Sequence, residues 1–367
     1  MTASPVATNG STPVSIITGF LGSGKTTLLN YLLQRPEMAD AAVIINEFGE
    51  IGLDHLLIAT PSENTVLLSS GCLCCTVRGD LVDTLADLYR KRRDAVIPGF
   101  DRVVVETTGL ADPVPILQTV VTDPELAALF RLDSVVTLVD AVNGASQLDH
   151  HAESVKQAAI ADRLVITKSD LAGAPALAAL EKRLVAINPG APVLTALRGE
   201  LAPAQLFGAG LDDVARGGDA RRWLREDAFE RGHDHAAADA NRHDHHIRAF
   251  CIYYDKPVSA TGLAVWLDTL AALRGANLLR VKGLINVVGA PVAVNAVQTL
   301  IHEPRPLPAW PDEDRRSRLV FITRDMARED IERTLDALAL PDVPSGRGRT
   351  LDPRAYAQFV EAMKSFR

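Results

Sequence analysis

The sequence predicts an α/β fold with a doubly wound, mostly parallel sheet, followed by a smaller C-terminal α+β domain. Short apolar runs rich in Val and Ile alternate with helix-like stretches from Val14 to Ala196, and such runs are typical of parallel strands buried on both faces. A glycine-rich segment separates the first run from the first helix. From Ile247 the pattern changes to a strand, a helix and a hairpin, which predicts a second domain.

The elements of the first domain follow one another in strand–helix order. Its predicted strands are Val14–Thr18, Ala42–Asn46, Val66–Leu68, Val103–Glu106, Val135–Asp140, Leu164–Thr167 and Val193–Ala196. Its predicted helices are Thr26–Leu33, Gly79–Lys91, Pro113–Thr119, Ser154–Ala161 and Pro175–Ile187. In the second domain we expect strands at Ile247–Tyr254 and Arg318–Ile322, a hairpin of Leu278–Val288 and Val292–Gln298, and helices at Ala260–Leu273 and Arg328–Leu338.

The chain is expected to divide into five segments. They are a flexible tail (residues 1–13), the first domain (14–207), a histidine-rich linker (208–246), the second domain (247–340) and a C-terminal extension (341–367). The linker contains Gly, Asp, Ala, Arg and many His with little apolar periodicity, which is typical of a segment without a core. A short helix is expected within it around Arg221–Phe229.

Composition excludes several classes of function. The net charge of the 367 residues is −8 and no Lys/Arg-rich run occurs, which argues against a nucleic-acid partner. The N-terminal residues lack the pattern of a signal peptide, and no apolar run approaches the roughly 20 residues of a membrane helix. We therefore expect a cytoplasmic protein with no membrane partner. Three of its four cysteines lie within four residues, which indicates metal or redox chemistry rather than disulfides.

The glycine-rich segment fits the phosphate-binding pattern G-x-x-x-x-G-K-[ST] between a strand and a helix, and so predicts a P-loop NTPase domain. Backbone N–H groups and the helix N-terminus would bind phosphate oxygens. Lys25 would reach the β- and γ-phosphates, and Thr26 would ligate Mg²⁺. The nucleotide-binding residues expected here are Gly19, Phe20, Leu21, Gly22, Ser23, Gly24, Lys25, Thr26 and the adjacent Thr27.

A buried strand ends in Glu106 and is followed three residues later by Gly109. An acid at this point can hold the Mg²⁺ shell, and a glycine backbone N–H can contact the γ-phosphate, so that the loop senses hydrolysis. The alternative is an ordinary strand-to-loop exit. We predict Lys25, Thr26 and Glu106 as the catalytic residues.

Thr167, Lys168, Ser169 and Asp170 follow another apolar run. A carboxylate here can accept the two N–H donors that guanine offers and adenine lacks, which predicts GTP as the nucleotide. The stem of Lys168 could pack along the base. Many GTPases have Asn where Thr167 stands. The alternative role of Ser169 or Asp170 is a helix cap.

The segment Gly71-Cys72-Leu73-Cys74-Cys75 predicts a thiolate metal site. Three thiolates suit Zn²⁺ or Co²⁺, and one ligand fewer than a closed zinc site leaves a position open for transfer. Glu47, which follows the second strand, is a candidate fourth ligand or a residue that couples the metal to the nucleotide; the alternative is a helix or turn acid facing water. Buried core cysteines and a redox or iron–sulfur cluster are the alternatives for the thiols.

Together these motifs resemble those of the CobW-type metal-chaperone GTPases. The matching segments are TGFLGSGKTT, NEFGEIGLD, GCLCC, VVVETTG and TKSD, with RVKGL and SRLVFI in the second domain. The resemblance implies a GTPase that binds a metal at Cys72, Cys74 and Cys75, delivers it to a client apo-metalloprotein and can form a nucleotide-dependent homodimer. Because no catalytic base or arginine finger can be assigned in the sequence, we expect slow intrinsic hydrolysis.

Histidines cluster in the linker, where short His-rich tracts bind Zn²⁺, Co²⁺ or Ni²⁺ weakly because ordering a flexible segment costs entropy. The candidates are His233, His235, His243, His245 and His246. A solvated polar linker is the alternative.

Three functions stay open at this stage. The first is a metallochaperone that couples GTP hydrolysis to delivery of zinc, or next cobalt, including cobalt for cobalamin biosynthesis. The second is a metal-buffering or sensing protein with incidental hydrolysis. The third is a small-molecule kinase, which has no use for the guanine-selective segment and would prefer ATP.

Overall fold

The computed structural model describes residues 10–46, 66–70, 77–230 and 246–341. Two compact units are present, one of residues up to 183 with 191–210, and the other of residues 184–190 with those from 211 onward. Within the described ranges no helix has the length and apolar character needed to cross a membrane.

The first unit is built on a seven-stranded sheet in which every neighbouring pair is parallel. Its strands are β1 (Thr12–Gly19), β2 (Ala41–Asn46), β3 (Val66–Ser70), β4 (Arg102–Glu106), β5 (Phe130–Asp140), β6 (Arg163–Thr167) and β7 (Val193–Ala196). Their order is β3-β2-β4-β1-β5-β6-β7. All seven predicted strands are present, and the apolar runs of β1, β4, β5 and β6 are almost entirely buried, as their composition requires.

Helices connect these strands. They are α1 (Lys25–Leu33), α2 (Val77–Arg93), α3 (Val114–Thr122), α4 (Pro124–Leu129), α5 (Gly144–His150), α6 (Ala152–Ile160) and α7 (Ala174–Ile187). One core cluster lies between α1 and the sheet, where Leu28, Leu29 and Leu32 are fully buried. The sheet begins at Thr12, two residues before the predicted start of the first strand, because Thr12 is buried and its hydroxyl accepts a hydrogen bond from Arg92.

The second unit contains an antiparallel sheet in the order β11-β10-β9-β13-β8, with β12 paired to β10. Its strands are β8 (Ile247–Tyr254), β9 (Leu278–Val287), β10 (Ala290–Val297), β11 (Leu300–Ile301), β12 (Arg305–Pro306) and β13 (Ser317–Arg324). One face packs on a helix of residues Ala260–Arg274 through Trp266 and Phe321. The predicted helix of residues 328–338 is two shorter pieces, Arg328–Glu332 and a 3₁₀ helix Leu335–Ala339.

The prediction of a linker from residue 208 is wrong for residues 211–230. Three short helices occur there, namely α9 (Leu211–Ala215), α10 (Ala220–Leu224) and α11 (Glu226–Glu230). Another short helix, α8 (Pro203–Leu206), lies just before them in the chain. Trp223, Leu224 and Phe229 are buried. The guanidinium of Arg318 on β13 binds the buried carboxylate of Glu226 at 2.7 Å, so α11 belongs to the second unit rather than to a linker.

Candidate nucleotide and metal site

The P-loop adopts the backbone that its glycines allow. Gly22 and Gly24 have φ angles of 73° and 89°, in the left-handed region that glycine enters without a Cβ penalty. A Cβ on Gly19 would lie 2.4 Å from the carbonyl oxygen of Leu138 on β5. The loop therefore passes directly over the neighbouring strand, and α1 begins at Lys25 as the motif predicts.

The Lys25 side chain folds back over the P-loop. Its Nζ donates to the carbonyl oxygens of Gly19 at 3.0 Å and Phe20 at 3.3 Å. The side chain is only 8 % exposed, so its charge is held among loop atoms and not in open water. An ammonium in this position can bind phosphate oxygens once a nucleotide enters the loop.

Thr26 and Glu106 are brought together as predicted. The Thr26 hydroxyl donates to Oε1 of Glu106 at 3.2 Å, and β4 places Glu106 directly beside Ile17 of β1. Glu106 is 4 % exposed. A hydroxyl and a buried carboxylate form the all-oxygen donor set that Mg²⁺ prefers, so the residues present fit this ion.

The loop after β4 lies against the P-loop. The Thr107 hydroxyl donates to the Thr18 hydroxyl at 2.8 Å, and a Cβ on Gly109 would lie 2.5 Å from the backbone nitrogen of Leu21. The Thr108 hydroxyl is buried without a hydrogen-bond partner among the described residues. The loop thus contacts the segment that would hold the β- and γ-phosphates.

The predicted base-binding segment is tied to the same loop. The Thr167 hydroxyl donates to the carbonyl oxygen of Ser23, which explains physically why a short hydroxyl side chain suits this position. Lys168 has a φ of 55°, and Ser169 and Asp170 begin a 3₁₀ turn in which Asp170 is exposed. Phe20 stacks on His151, and Leu21 and Thr27 are exposed.

Asp140, at the end of β5, was not among the predicted site residues. Its buried carboxylate accepts a bond from Lys168 Nζ at 2.8 Å and others from Val142 and Asn143. Burial alone would raise the pKa of Asp140, but these hydrogen bonds outweigh it and lower the pKa below its ordinary value. An acid that closes an apolar run, as Glu106 does, is a sequence signal that could have identified it.

Most of the predicted metal ligands lie outside the described residues. These are Glu47, Cys72, Cys74, Cys75, His233, His235, His243 and His245. His246 is described, is exposed, and pairs through Nδ1 with Asp325. Within the described part of the chain no group of three or more His, Cys, Asp or Glu side chains could hold a metal ion. Cys251 is buried in β8, as predicted.

The strands that lead into the predicted ligand segments are adjacent at one edge of the sheet. Asn46, the last residue of β2, pairs with Ser70, the last residue of β3. On the other side of β2, Ile45 pairs with Glu106. Glu47 and Cys72 follow these ends by one and two residues in the sequence. The chain therefore enters both segments beside the carboxylate that fits Mg²⁺.

Family models match both units. Residues 13–195 match the CobW/HypB/UreG nucleotide-binding domain, and residues 247–339 match the cobalamin synthesis protein cobW C-terminal domain. The chain is 34 % identical over 321 residues to the zinc chaperone YjiA of Escherichia coli, which covers 87 % of this chain and 96 % of that protein. It is 31 % identical over 366 residues to the zinc chaperone CobW of Pseudomonas aeruginosa, and the match covers 90 % of this chain and 92 % of that protein.

Solved structures agree with these matches. The Zn(II)-bound YjiA GTPase of Escherichia coli superposes with a TM-score of 0.68 at 30 % identity, covering 90 % of this chain and 99 % of that one. The TM-score is 0.69 for a Zn(II)-bound triple variant of the same protein. In that variant one glutamate and two adjacent cysteines are replaced by alanine. With both family domains matched and a P-loop, Thr26 and Glu106 in place, the chain belongs to the CobW/HypB/UreG family of GTPase metallochaperones.

Proposed function

We propose that this protein hydrolyses GTP and uses the cycle to deliver a transition metal, zinc first and cobalt second, to a client apo-metalloprotein. The observation that carries the proposal is the adjacency of Asn46, Ser70 and Glu106 at the ends of three neighbouring strands. A change at the nucleotide can reach the segments that contain Glu47 and the cysteines through this one sheet edge.

The relatives support zinc as the cargo. Two similar proteins are named zinc chaperones, and the YjiA structures contain Zn(II). The variant structure of YjiA replaces two adjacent cysteines, and this chain has one adjacent cysteine pair, Cys74–Cys75. Thiolates bind Zn²⁺ and Co²⁺ well, so Cys72, Cys74 and Cys75, with Glu47 as a fourth donor, are the proposed cargo ligands.

Each residue of the proposed nucleotide site has a separate role. Lys25 binds the β- and γ-phosphates, Gly109 contacts the γ-phosphate, and Lys168 with Asp170 binds guanine. Thr26 and Glu106 would hold Mg²⁺, which when bound neutralises charge on the phosphates. On hydrolysis the contact between Gly109 and the γ-phosphate is lost. The loop after β4 then changes conformation, and the affinity of the thiolates for the ion falls.

A nucleotide-dependent homodimer is also proposed. Apolar side chains that follow the ends of four neighbouring strands, β4, β1, β5 and β6, are exposed: Leu110, Leu21, Val142 and Leu171. Exposed apolar groups around one site favour contact with a partner. Sedimentation with GDP and with a non-hydrolysable GTP analogue tests this, and a monomer in both would contradict it.

The test of the main proposal measures metal affinity and transfer. Cys74→Ala should weaken zinc binding by at least tenfold in a competitive titration, whereas Cys251→Ala removes a buried thiol elsewhere and should not. Transfer to an apo-client should be faster with GTP than with a non-hydrolysable analogue. Unchanged zinc and cobalt affinity in Cys74→Ala would end the proposal. Equal transfer with both nucleotides would favour a metal buffer, and preference for ATP would favour a kinase.

The histidine tract and the cytoplasmic location remain predictions that this proposal includes. His233, His235, His243, His245 and His246 would capture the ion weakly before it reaches the thiolates. The cytoplasm keeps thiols reduced and able to bind metal.

A further inference from the structure

Gln157 of α6 contacts the loop that the proposed function assigns to the γ-phosphate. Its Nε2 donates to the carbonyl oxygen of Gly109 at 3.3 Å and to that of Ala111 at 3.1 Å. The residue is 1 % exposed. No pattern in the sequence marks it, because both contacts join residues more than forty positions apart.

The loop after β4 is held by contacts with two different elements, the P-loop and α6. On one side Gly109 meets the backbone of Leu21, where a Cβ would lie 2.5 Å from the nitrogen. On the other side stands Gln157, and next to it Lys156 forms an ion pair with Asp112. Residues 109–112 are therefore fixed between the P-loop and α6.

The helix that carries Gln157 is itself fixed. The Thr137 hydroxyl on β5 donates to the backbone carbonyl of Gln157 at 2.8 Å, and β5 is the neighbour of β1, which leads into the P-loop. The amide oxygen Oε1 of Gln157 is buried without a hydrogen-bond partner among the described residues. It lines a small cavity with Phe20 and Ser154 that has room for about one water molecule.

We propose that Gln157 is a positioning residue that holds the Gly109 peptide ready for the γ-phosphate, so that the protein distinguishes GTP from GDP. This inference rests on the proposed function. A buried amide that donates to two carbonyls of one loop costs desolvation unless both bonds form, and so it favours one loop conformation. GDP has no group at this point, and its affinity therefore does not depend on Gln157.

The experiment compares nucleotide affinities of variants. Gln157→Met keeps the size of the side chain and removes both donors. We expect it to weaken binding of a non-hydrolysable GTP analogue roughly tenfold, as two lost neutral hydrogen bonds imply, while GDP affinity stays within about twofold. Gln157→Asn, which keeps an amide but is one methylene shorter, should lose part of the discrimination and protects the test if Gln157→Met does not fold.

Ser154→Ala is the matched control. Ser154 lies on the same helix, is buried, lines the same cavity, and its hydroxyl has no partner in the part of the chain described here. It should bind both nucleotides as the unchanged protein does. The inference would be overturned, with the proposed function intact, if the Gln157 variants lost the same affinity for GTP and for GDP. It would also be overturned if their nucleotide affinities equalled those of Ser154→Ala. An unchanged protein that does not bind GTP would overturn the proposed function as well.

Discussion

The hydroxyl of Thr167 donates a 2.7 Å hydrogen bond to the carbonyl oxygen of Ser23. This bond joins the end of β6, where guanine is expected, to the P-loop, where phosphate is expected. The segments expected to bind base and phosphate are therefore joined by a hydrogen bond between residues 144 positions apart.

Thr167→Val should remove this bond while keeping the shape of the side chain. We expect a loss of about 1 kcal/mol in the free energy of unfolding, because the Ser23 carbonyl loses its donor, and a weaker affinity for GTP and GDP alike. Urea unfolding and nucleotide titration measure the two effects. Thr195→Val, at an exposed position on the neighbouring β7, is the control. Nucleotide affinity equal to that of the control would contradict the prediction.

Gly109→Ala should slow GTP hydrolysis. The new Cβ would lie 2.5 Å from the Leu21 nitrogen and 2.7 Å from its Cα, so the backbone of the loop or of the P-loop must move. We expect at least a tenfold fall in the rate of GTP hydrolysis. Gly99→Ala is the control, because a Cβ there meets nothing within 4 Å. Hydrolysis at the normal rate in Gly109→Ala would show that this close approach has no functional role.

Asp140→Asn should lower stability in a pH-dependent way. At neutral pH we expect a cost of about 1.5 kcal/mol, at the low end for bonds to a charged group because Lys168 is partly exposed. Since the folded-state pKa of Asp140 is lowered, its contribution is complete above the ordinary pKa of about 3.9 and is lost as pH falls through the lowered value. The difference between the two proteins should therefore be constant from pH 5 to 8 and shrink below pH 4. A difference that grows in acid would contradict this account.

Arg318→Lys should destabilise the second unit although it keeps the charge. The guanidinium binds Glu226 at 2.7 Å and Asp312 at 2.8 Å and 3.1 Å, and an ammonium cannot reproduce this planar arrangement. We expect a cost of about 2 kcal/mol for Arg318→Lys and about 3–5 kcal/mol for Arg318→Met, which leaves the buried Glu226 unpaired. Thermal and urea unfolding measure both.

Arg316→Lys provides the comparison for Arg318. Arg316 pairs with Asp314 at the surface, where its side chain is 49 % exposed, so the change should stay within about 0.5 kcal/mol. Equal effects at the two positions would show that burial of the Arg318–Glu226 pair adds nothing.

Much of the fold follows from local pattern. The strands of the first unit are apolar runs bounded by glycines and polar residues, and the hairpin of β9 and β10 turns at Gly289 as its composition predicts. The P-loop, Thr26 and Glu106 could also be predicted, because their roles depend on positions at the ends of strands.

The remaining features depend on contacts that no local pattern contains. Helix α9 has five residues, too few for a period to be recognised, whereas the helix expected around Arg221–Phe229 is present as two short helices, α10 and α11. Burial of Trp223 and Phe229 and the ion pair of Arg318 with Glu226 stabilise these two helices. Gln157 contacts the loop after β4 only through tertiary hydrogen bonds to Gly109 and Ala111. The order of strands likewise depends on long-range packing and not on the sequence of any one strand.

The packing of α11 in the second unit limits the distance that the proposed histidine tract can reach from this unit. Residues 231–246 connect α11 to β8, and these two elements contact each other within the second unit. Sixteen residues span at most about 55 Å when fully extended, and a segment tied at both ends to elements in contact can extend only about half that distance from them. An ion bound by the proposed histidine tract would therefore remain within this distance of α11 and β8, and only a client that docks within it could receive the ion directly.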